Sequence, residues 1–302
     1  MTPLPSLRQL RYLVALVEHR HFGHAAAACS VTQSTLSAAI QELENLLGVS
    51  LVERSKRHVL ITPLGTTIAT RAARVLREAE DLVGSANVWR EPLSGTLRLG
   101  VIPTIGPYLL PRLMLAARQA FPQLRLYVRE EQTAGLIDKL ASGQLDLLVI
   151  ALPFGLDETV EVEEIGEDEI LVACPADHPF ATLDRVESEA LRSTGLLMLE
   201  DGHCLRSHAL TACGLAGADH NEVFQGTGLR TLVQMVAAGL GVTLLPRLAV
   251  ETELSSAEGA VQVRPIGPGR HARRIALAWR RSSARKAEFR RLGNFAAALL
   301  AP

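Results

Sequence analysis

Apolar positions recur along the 302-residue chain with two different periods, and the change falls near residue 95. Before it the period is helical. Leu7, Leu10, Leu13, Val14 and Val17 share one face of a first amphipathic segment. The alanine-rich run 24–29 fits a second, short helix. Leu36, Ile40, Leu43 and Leu47 line a third, with Thr32 placed to cap its start and Gly48 to end it. A short helix, a tight polar turn and a longer helix make the helix-turn-helix pattern. Its second helix enters the major groove with Gln33, Ser34, Thr35 and Ser37 near its start. Glutamine reads adenine edges, and hydroxyls take phosphates or bases. Residues 52–54 and 58–62 then bracket Ser55, Lys56 and Arg57, which predicts a small hairpin wing with a basic tip suited to phosphate. Pro63 can open the next helix. In it Ile68, Ala72, Val75, Ala79, Leu82, Ala86 and Trp89 alternate steps of four and three, a coiled-coil seam that needs a partner and predicts a dimer. The run 91–95, with Pro92 and Gly95, reads as a hinge.

From Thr96 strands alternate with helices. The pattern predicts strands at 97–102, 124–129, 145–152, 170–174, 196–199, 242–245 and 275–279. Helices fit 107–121, 134–141, 228–238 and 287–300, with a helix or turn at 186–192. Between the strand ending at 152 and the one starting at 170 the chain reads as an acidic loop region. This alternation predicts an α/β domain with a parallel sheet buried on both faces, in two halves around a cleft that would suit a ligand sensor.

Composition excludes several classes. The chain is 48% hydrophobic and 21% charged, as expected of a soluble globular protein. No run approaches the ~20 apolar residues of a membrane span, and polar residues break the first apolar run too early for a secretory signal. A cytoplasmic location is therefore expected, where cysteine pairs tend to be catalytic, metal-binding or redox-sensing. The net charge of −1 hides three zones. Residues 1–77 carry nine Lys or Arg against four acids, 157–200 carry thirteen acids against two arginines, and 261–302 carry ten Lys or Arg against one acid.

The chemistry concentrates in Leu199 to Cys213, LEDGHCLRSHALTAC, where Cys204 and Cys213 stand nine positions apart. On one unbroken helix that spacing separates their Cα atoms by roughly 13 Å, whereas a disulfide needs about 7 Å or less. The pair is a disulfide held in a loop, two unrelated thiols, or a pair that joins only if the helix unravels. Ligands of such folds bind at strand ends near a crossover, which selects Thr104, Thr133 and the Asp201-Gly202-His203-Cys204 turn. Cysteine and histidine spacings fit no metal site. His19, His21 and His24 read as surface or core-edge residues, and Cys29 and Cys174 as small buried hydrophobes. Gly239-Leu240-Gly241 lacks a phosphate-loop lysine, which argues against a nucleotide site.

Several longer motifs carry a resemblance. EHRHF (18–22), TQSTLS (32–37), IPTIGPYLLPRL (102–113), LEDGHCLR (199–206), Cys213 and MVAAGLGVTLLP (235–246) are similar to LysR-type transcriptional regulators. Within that family they resemble the hydrogen peroxide sensors, over almost the whole chain. The resemblance implies a winged helix-turn-helix DNA-binding domain (1–62), a linker and dimerisation helix (63–91) and a regulatory domain (92–302). The last would comprise two Rossmann-like, periplasmic-binding-protein-like subdomains, I (92–166 and 272–302) and II (167–271). Cys204 would be the peroxidatic and Cys213 the resolving cysteine of a reversible disulfide. Thr104, Thr133, His203, Arg206 and Ser207 would line the peroxide pocket. Thr32, Gln33, Ser34, Thr35, Ser37, Arg54, Lys56 and Arg57 would meet DNA. Ser207 departs from the usual aspartate, and Ser34 from a common proline. The implied function is a peroxide-responsive activator of antioxidant genes, without cofactor or metal. Its partners would be promoter DNA, further copies of itself as a dimer or dimer of dimers, RNA polymerase and a cellular thiol reductant. Two alternatives are a LysR-type regulator sensing a small metabolite, with inert cysteines, and a thiol peroxidase-like enzyme.

Overall fold

A computed structural model describes residues 3–54, 59–88, 93–212, 222–257, 259–267, 269 and 271–300. The chain divides into two compact units, Met1–Arg90 with Ala141–Gln144, and Glu91–Leu140 with Leu145–Pro302.

The first unit holds α1 (Leu7–His19), α2 (Phe22–Ala28), α3 (Gln33–Leu47), β1 (Val52–Arg54), β2 (Val59–Ile61) and α4 (Pro63–Val88). Polar residues set the helix starts. Ser6 and Gln9 form a reciprocal capping box on α1, His21 Nδ1 accepts from the amides of Gly23 and His24 on α2, and Thr32 Oγ1 accepts from the Thr35 amide on α3. The His21 cap is why α2 begins at Phe22, two residues before the alanine run. Gly48 ends α3 at φ 69°, a left-handed turn that favours glycine. Leu13, Leu16, Ala25, Leu36, Ile40, Leu43 and Leu51 form the core, so the predicted helical faces are largely the buried ones, although Leu7 and Leu47 stay exposed. The buried Glu44 carboxylate accepts from the Leu51 and Val52 amides at 2.7 and 3.1 Å and ties α3 to the wing, where β1 pairs antiparallel with β2. Along α4, Ile68 is half-buried against this core and Ala72 is buried, whereas the seam residues Val75 and Leu82 are 49% and 73% exposed in a single chain. Lys56, Arg57 and Trp89 lie outside the described residues.

The second unit opens with β3 (Gly95–Val101), α5 (Gly106–Ala120), β4 (Leu124–Glu130), α6 (Thr133–Ala141), β5 (Leu147–Leu152) and β6 (Val160–Pro175). It continues with β7 (Val186–Glu187), α7 (Ser188–Arg192), β8 (Leu196–Leu199), α8 (Cys204–Ala212), β9 (Glu222–Gly226) and α9 (Leu229–Ala237). Then come β10 (Val242–Pro246), α10 (Arg247–Leu254), β11 (Val261–Gly267), β12 (Ala272–Arg280) and α11 (Lys286–Leu300). The strands follow the order β4-β3-β5-β12-β6-β10-β8-β9, with β11 also on β6 and β7 on β11.

The sheet is mixed, which corrects the parallel sheet expected from the alternation. β4, β3 and β5 run parallel, as do β9, β8 and β10, but β12 and β6 are antiparallel to their neighbours. The acidic stretch expected as a loop is the first half of β6, sixteen residues long. Its residues 160–169 pair with β12, and 170–175 pair with β10 and β11, so one strand serves both halves. Alternating glutamates hid it, because their partners lie over a hundred residues downstream. Glu161 pairs with Lys286 at 2.6 Å and with Arg290 at 2.7 Å, Glu163 with Arg290 at 3.2 Å, and Glu164 with Arg274. The acidic and basic zones of the sequence are thus partly two sides of one layer. The short strands β9 and β11 and the helix α10 also went unpredicted.

Two apolar clusters fill the halves. Leu99, Val101, Leu109, Leu148, Trp279 and Phe289 belong to one, here called subdomain I, and Val172, Leu197, Leu232, Val236 and Leu245 to the other, subdomain II. Where β6 and β12 cross between them, Arg273 is 1% exposed and donates to Asp168 Oδ2 through Nε at 3.0 Å and Nη2 at 2.8 Å. Asp168 Oδ1 accepts from the Leu248 amide, which opens α10. Tyr108 of α5 donates its hydroxyl proton to Glu253 of α10 at 2.9 Å, and burial together with that carboxylate pushes the phenol pKa upward. No helix among the described residues is long and apolar enough to cross a membrane.

Removing one member of a buried ion pair leaves the other charge unpaired. Asp168→Ala is therefore expected to destabilise the second unit by about 3–5 kcal/mol. Urea unfolding followed through the fluorescence of the fully buried Trp279 measures this directly.

Candidate functional site

Three adjacent parallel strands of subdomain I end on one edge, and each delivers a residue there. Thr104 follows β3, Gln132 and Thr133 follow β4, and Pro153 follows β5. Facing this edge is the turn after β8, where Asp201, Gly202 and His203 lead into Cys204, the first residue of α8. The turn fits tightly. Gly202 has φ 96°, a backbone angle that favours glycine, and a Cβ built on it would lie 2.5 Å from Gln132 Oε1, the tip of a flexible side chain. That contact brings the turn against the residue preceding Thr133.

Cys204 is a free, half-buried thiol. Although α8 follows a subdomain II strand, Cys204 packs against the apolar cluster of subdomain I, while Leu205 and Ala209 of the same helix are buried in the cluster of subdomain II. Thr104 is 3% exposed, and its hydroxyl oxygen accepts from Arg273 Nη1 at 2.7 Å while its carbonyl accepts from Nη2 at 2.8 Å. With that lone pair engaged, the hydroxyl proton points elsewhere. Thr133 is 1% exposed, and its hydroxyl has no hydrogen-bond partner among the described residues. Both buried hydroxyls keep donating or accepting capacity to spare.

His203 is buried with Nε2 3.9 Å from Glu200 Oε1. Burial pushes its pKa down and the nearby carboxylate only partly offsets this, so His203 is a neutral imidazole near pH 7. The formal positive charge of the turn comes instead from Arg206, which reaches Asp201 Oδ1 at 3.2 Å and donates to the Leu199 carbonyl at 3.2 Å. Ser207 is exposed on α8. Cys213 lies outside the described residues. Cys174 is fully buried with Sγ 3.7 Å from the Gln262 carbonyl, and Cys29 is half-buried at the end of α2; burial raises the pKa of both thiols. Among the described residues no cluster of His, Cys, Asp and Glu could hold a metal.

Arg273, Asp168 and His208 were not singled out by sequence. Arg273 looks like one more cation of the basic C-terminal zone, and only the strand crossing reveals its burial. In the first unit Thr32, Gln33, Ser34 and Thr35 are exposed at the start of α3, and Ser37 is half-buried. The Thr32 hydroxyl lies 3.0 Å from that of Ser34 and 2.8 Å from that of Thr35, so cap and helix start form one polar edge. The side chain of Arg54 lies outside what is described.

Two family models match the chain: a bacterial regulatory helix-turn-helix of the lysR family over residues 7–66, and the LysR substrate binding domain over residues 90–301. A probable hydrogen peroxide-inducible genes activator of Streptomyces viridosporus is 46% identical over 95% of this chain and 92% of its own length. The DNA-binding transcriptional dual regulator OxyR of Escherichia coli (strain K12) is 44% identical over 96% of this chain and 94% of its own. A solved full-length OxyR variant from Pseudomonas aeruginosa superposes with a TM-score of 0.82 at 38% identity, covering 98% of this chain and 96% of that one.

An unpaired buried hydroxyl carries a desolvation cost without compensation. Thr133→Val, which keeps the shape and removes the hydroxyl, is expected to leave stability unchanged or to raise it by up to about 1 kcal/mol. A comparison of urea midpoints checks the sign.

Proposed function

Because the chain belongs to the LysR family of bacterial transcriptional regulators and is closely related to OxyR, we propose that it switches promoter DNA binding in response to hydrogen peroxide through a reversible Cys204–Cys213 disulfide. It is a regulator rather than an enzyme. Residues 1–62 form the DNA-binding domain, with Thr32, Gln33, Ser34, Thr35, Ser37, Arg54, Lys56 and Arg57 at the interface. Residues 63–91 form the dimerising linker, and 92–302 the sensor, with subdomain I at 92–166 and 272–302 and subdomain II at 167–271. The uncovered apolar seam of α4 supports a dimer of at least two chains. RNA polymerase and a cellular thiol reductant are the further partners of this reading, with antioxidant genes as its targets and the cytoplasm as its place.

The observation that carries the proposal is where Cys204 sits. It opens a helix, where backbone N–H groups face an anion, and it packs against subdomain I, whose strand ends carry Thr104 and Thr133, the residues assigned in this reading to the peroxide pocket. The thiolate is the attacking form. Its sulfur takes one peroxide oxygen as the O–O bond breaks, giving Cys204 sulfenic acid and a hydroxide that leaves, protonated, as water. Cys213 sulfur then attacks the sulfenic sulfur, the S–S bond forms, and a second water departs. Two electrons from the two thiols have reduced one peroxide to two waters. The threonine hydroxyls hold and polarise the peroxide oxygens. A dithiol reductant resets the pair by exchange.

Helix geometry turns this chemistry into a conformational change. α8 runs unbroken from Cys204 to Ala212, so its end Cα atoms lie at least about 12 Å apart. Cys213 is one step of ~3.8 Å beyond Ala212. Even folded back, it stays about 8 Å from Cys204, past the limit of about 7 Å for a disulfide. The bond therefore cannot form unless α8 unravels, and unravelling releases Cys204 from subdomain I. That change passes through subunit contacts to the spacing of the recognition helices.

Peroxide is expected to give a Cys204–Cys213 linkage, detected by non-reducing peptide mass spectrometry, and to alter the DNase footprint on a bound promoter. Cys204→Ser removes both responses while leaving DNA binding intact. A peroxide-dependent footprint that persists in that variant would exclude the switch. Thr133→Val is expected to slow Cys204 oxidation at least tenfold, about 1.4 kcal/mol of barrier.

A further inference from the structure

His208 lies on the cysteine helix, one turn beyond Cys204, and the mechanism above does not use it. Residues four apart on a helix share a face, so Cys204 and His208 form one stripe of α8, adjacent to the stripe of Leu205 and Ala209 that is buried in subdomain II. Both members of the first stripe reach subdomain I. Cys204 does so through apolar packing. His208 does so through a hydrogen bond of 2.6 Å between Nε2 and the carbonyl oxygen of Pro153, at the end of β5. A carbonyl can only accept, so Nε2 carries the hydrogen and the neutral ring leaves Nδ1 bare. His208 is 7% exposed, and its buried Nδ1 has no partner among the described residues. The ring is thus held by one bond, and that bond spans the two subdomains across the cleft.

We propose that His208 is a positioning residue of the redox switch, a clasp that holds α8 against subdomain I in the reduced form and opens when the Cys204–Cys213 bond forms. The inference rests on the proposed disulfide switch. His208 lies between the two cysteines, so unravelling α8 moves its backbone and breaks the bond to Pro153. The clasp therefore stabilises the dithiol form only, and sets how readily the pair oxidises.

The clasp also senses protons. β5 and β8, the strands packed against α8, carry no charged residue. The charged group acting on His208 from other elements is Arg273 of β12, itself paired with Asp168 of β6. Within its own segment stand Cys204, Arg206 with Asp201, and His203 with Glu200. Burial pushes the His208 pKa down, the bond to Pro153 partly restores it, and Arg273 lowers it further. In the clasped form the ring is neutral. Once released into water it regains an ordinary pKa of about 6.5. Above that pH both forms are neutral and protons play no part. As pH falls below it, the released form takes up a proton more readily than the clasped form, whose pKa is lowered, so acid favours opening and hence the disulfide.

The test uses the full-length chain, as wild type, His208→Gln and His208→Leu. Each is equilibrated with a fixed ratio of reduced to oxidised dithiothreitol from about pH 5.5 to about pH 8, and the disulfide is quantified by peptide mass spectrometry. Glutamine keeps an N–H donor but does not titrate; leucine loses both. At about pH 8 leucine is expected to raise the disulfide-to-dithiol ratio about five-fold, the worth of one net hydrogen bond, and glutamine to stay within about two-fold of wild type. Below about pH 6.5 the wild-type ratio is expected to climb above that of His208→Gln. Equal ratios in wild type and His208→Leu overturn the clasp, and wild type tracking His208→Gln at every pH overturns its proton link. If the leucine variant no longer folds, judged by the cooperativity of its urea unfolding, His208→Ala takes its place, and a ratio equal to wild type again overturns the clasp. A wild type that forms no disulfide at any ratio overturns the switch itself, a result distinct from either.

Discussion

The buried contact between Arg273 and Asp168 is the constraint on which the regulatory half depends. A guanidinium and a carboxylate out of water are tolerable only when every donor and acceptor is used. Here nearly all are. Two bonds join the ions, two more run from Arg273 to the hydroxyl and carbonyl of Thr104, and Asp168 takes the amide that opens α10. The pair thus fixes the crossing of β6 and β12, the loop after β3 and the start of α10 together. Since those elements frame the cleft, the position of Thr104 follows from electrostatics at the strand crossing rather than from the loop that carries it. A hydrophobic pair of similar volume would stabilise the domain as well, but it would not orient a threonine hydroxyl.

Local signals were legible in the sequence because they are settled within a few residues. The apolar faces of α1 and α3, the Thr32 cap and the Gly48 stop decide the first unit, and periodicity located β3, β4, β5, β8 and β10 of the second to within two residues. Nonlocal pairing was not legible. β6 alternates glutamate with small or apolar residues, and without knowledge of Lys286, Arg290 and Arg274 that pattern is indistinguishable from a solvated loop. The same blindness produced the expectation of a parallel sheet, since an antiparallel strand inserted between two parallel sets changes neither composition nor period.

The site divides along the same line. Cys204, its turn and the glycine within it announce themselves through spacing and through resemblance to known sensors. Thr104 and Thr133 follow from the rule that ligands gather at the carboxyl ends of parallel strands. What spacing cannot supply is the state of each group. His203, adjacent to the cysteine, looks like a cation in sequence and is a buried neutral ring in the fold, leaving Arg206 as the charge of the turn. His208 sits in plain view within LRSHAL, yet its partner is a backbone carbonyl fifty-five positions away, and backbone carbonyls have no sequence signature.

In the proposed switch, the nine residues of α8 explain how a single covalent bond could govern the helix. An isolated helix of fewer than about 12 residues is marginal in water, so α8 persists because of what it packs against. One stripe is committed to subdomain II, and the other to subdomain I through a half-buried thiol and one imidazole. The second commitment is small, on the order of 1–3 kcal/mol for a partly buried side chain and a hydrogen bond. A disulfide closing a short loop is worth a similar amount, about 2–4 kcal/mol. The two are of similar size, so in the proposed switch oxidation can reverse the balance and reduction restore it. A longer helix, or a second stripe as apolar as the first, would keep the cysteines apart whatever the oxidant.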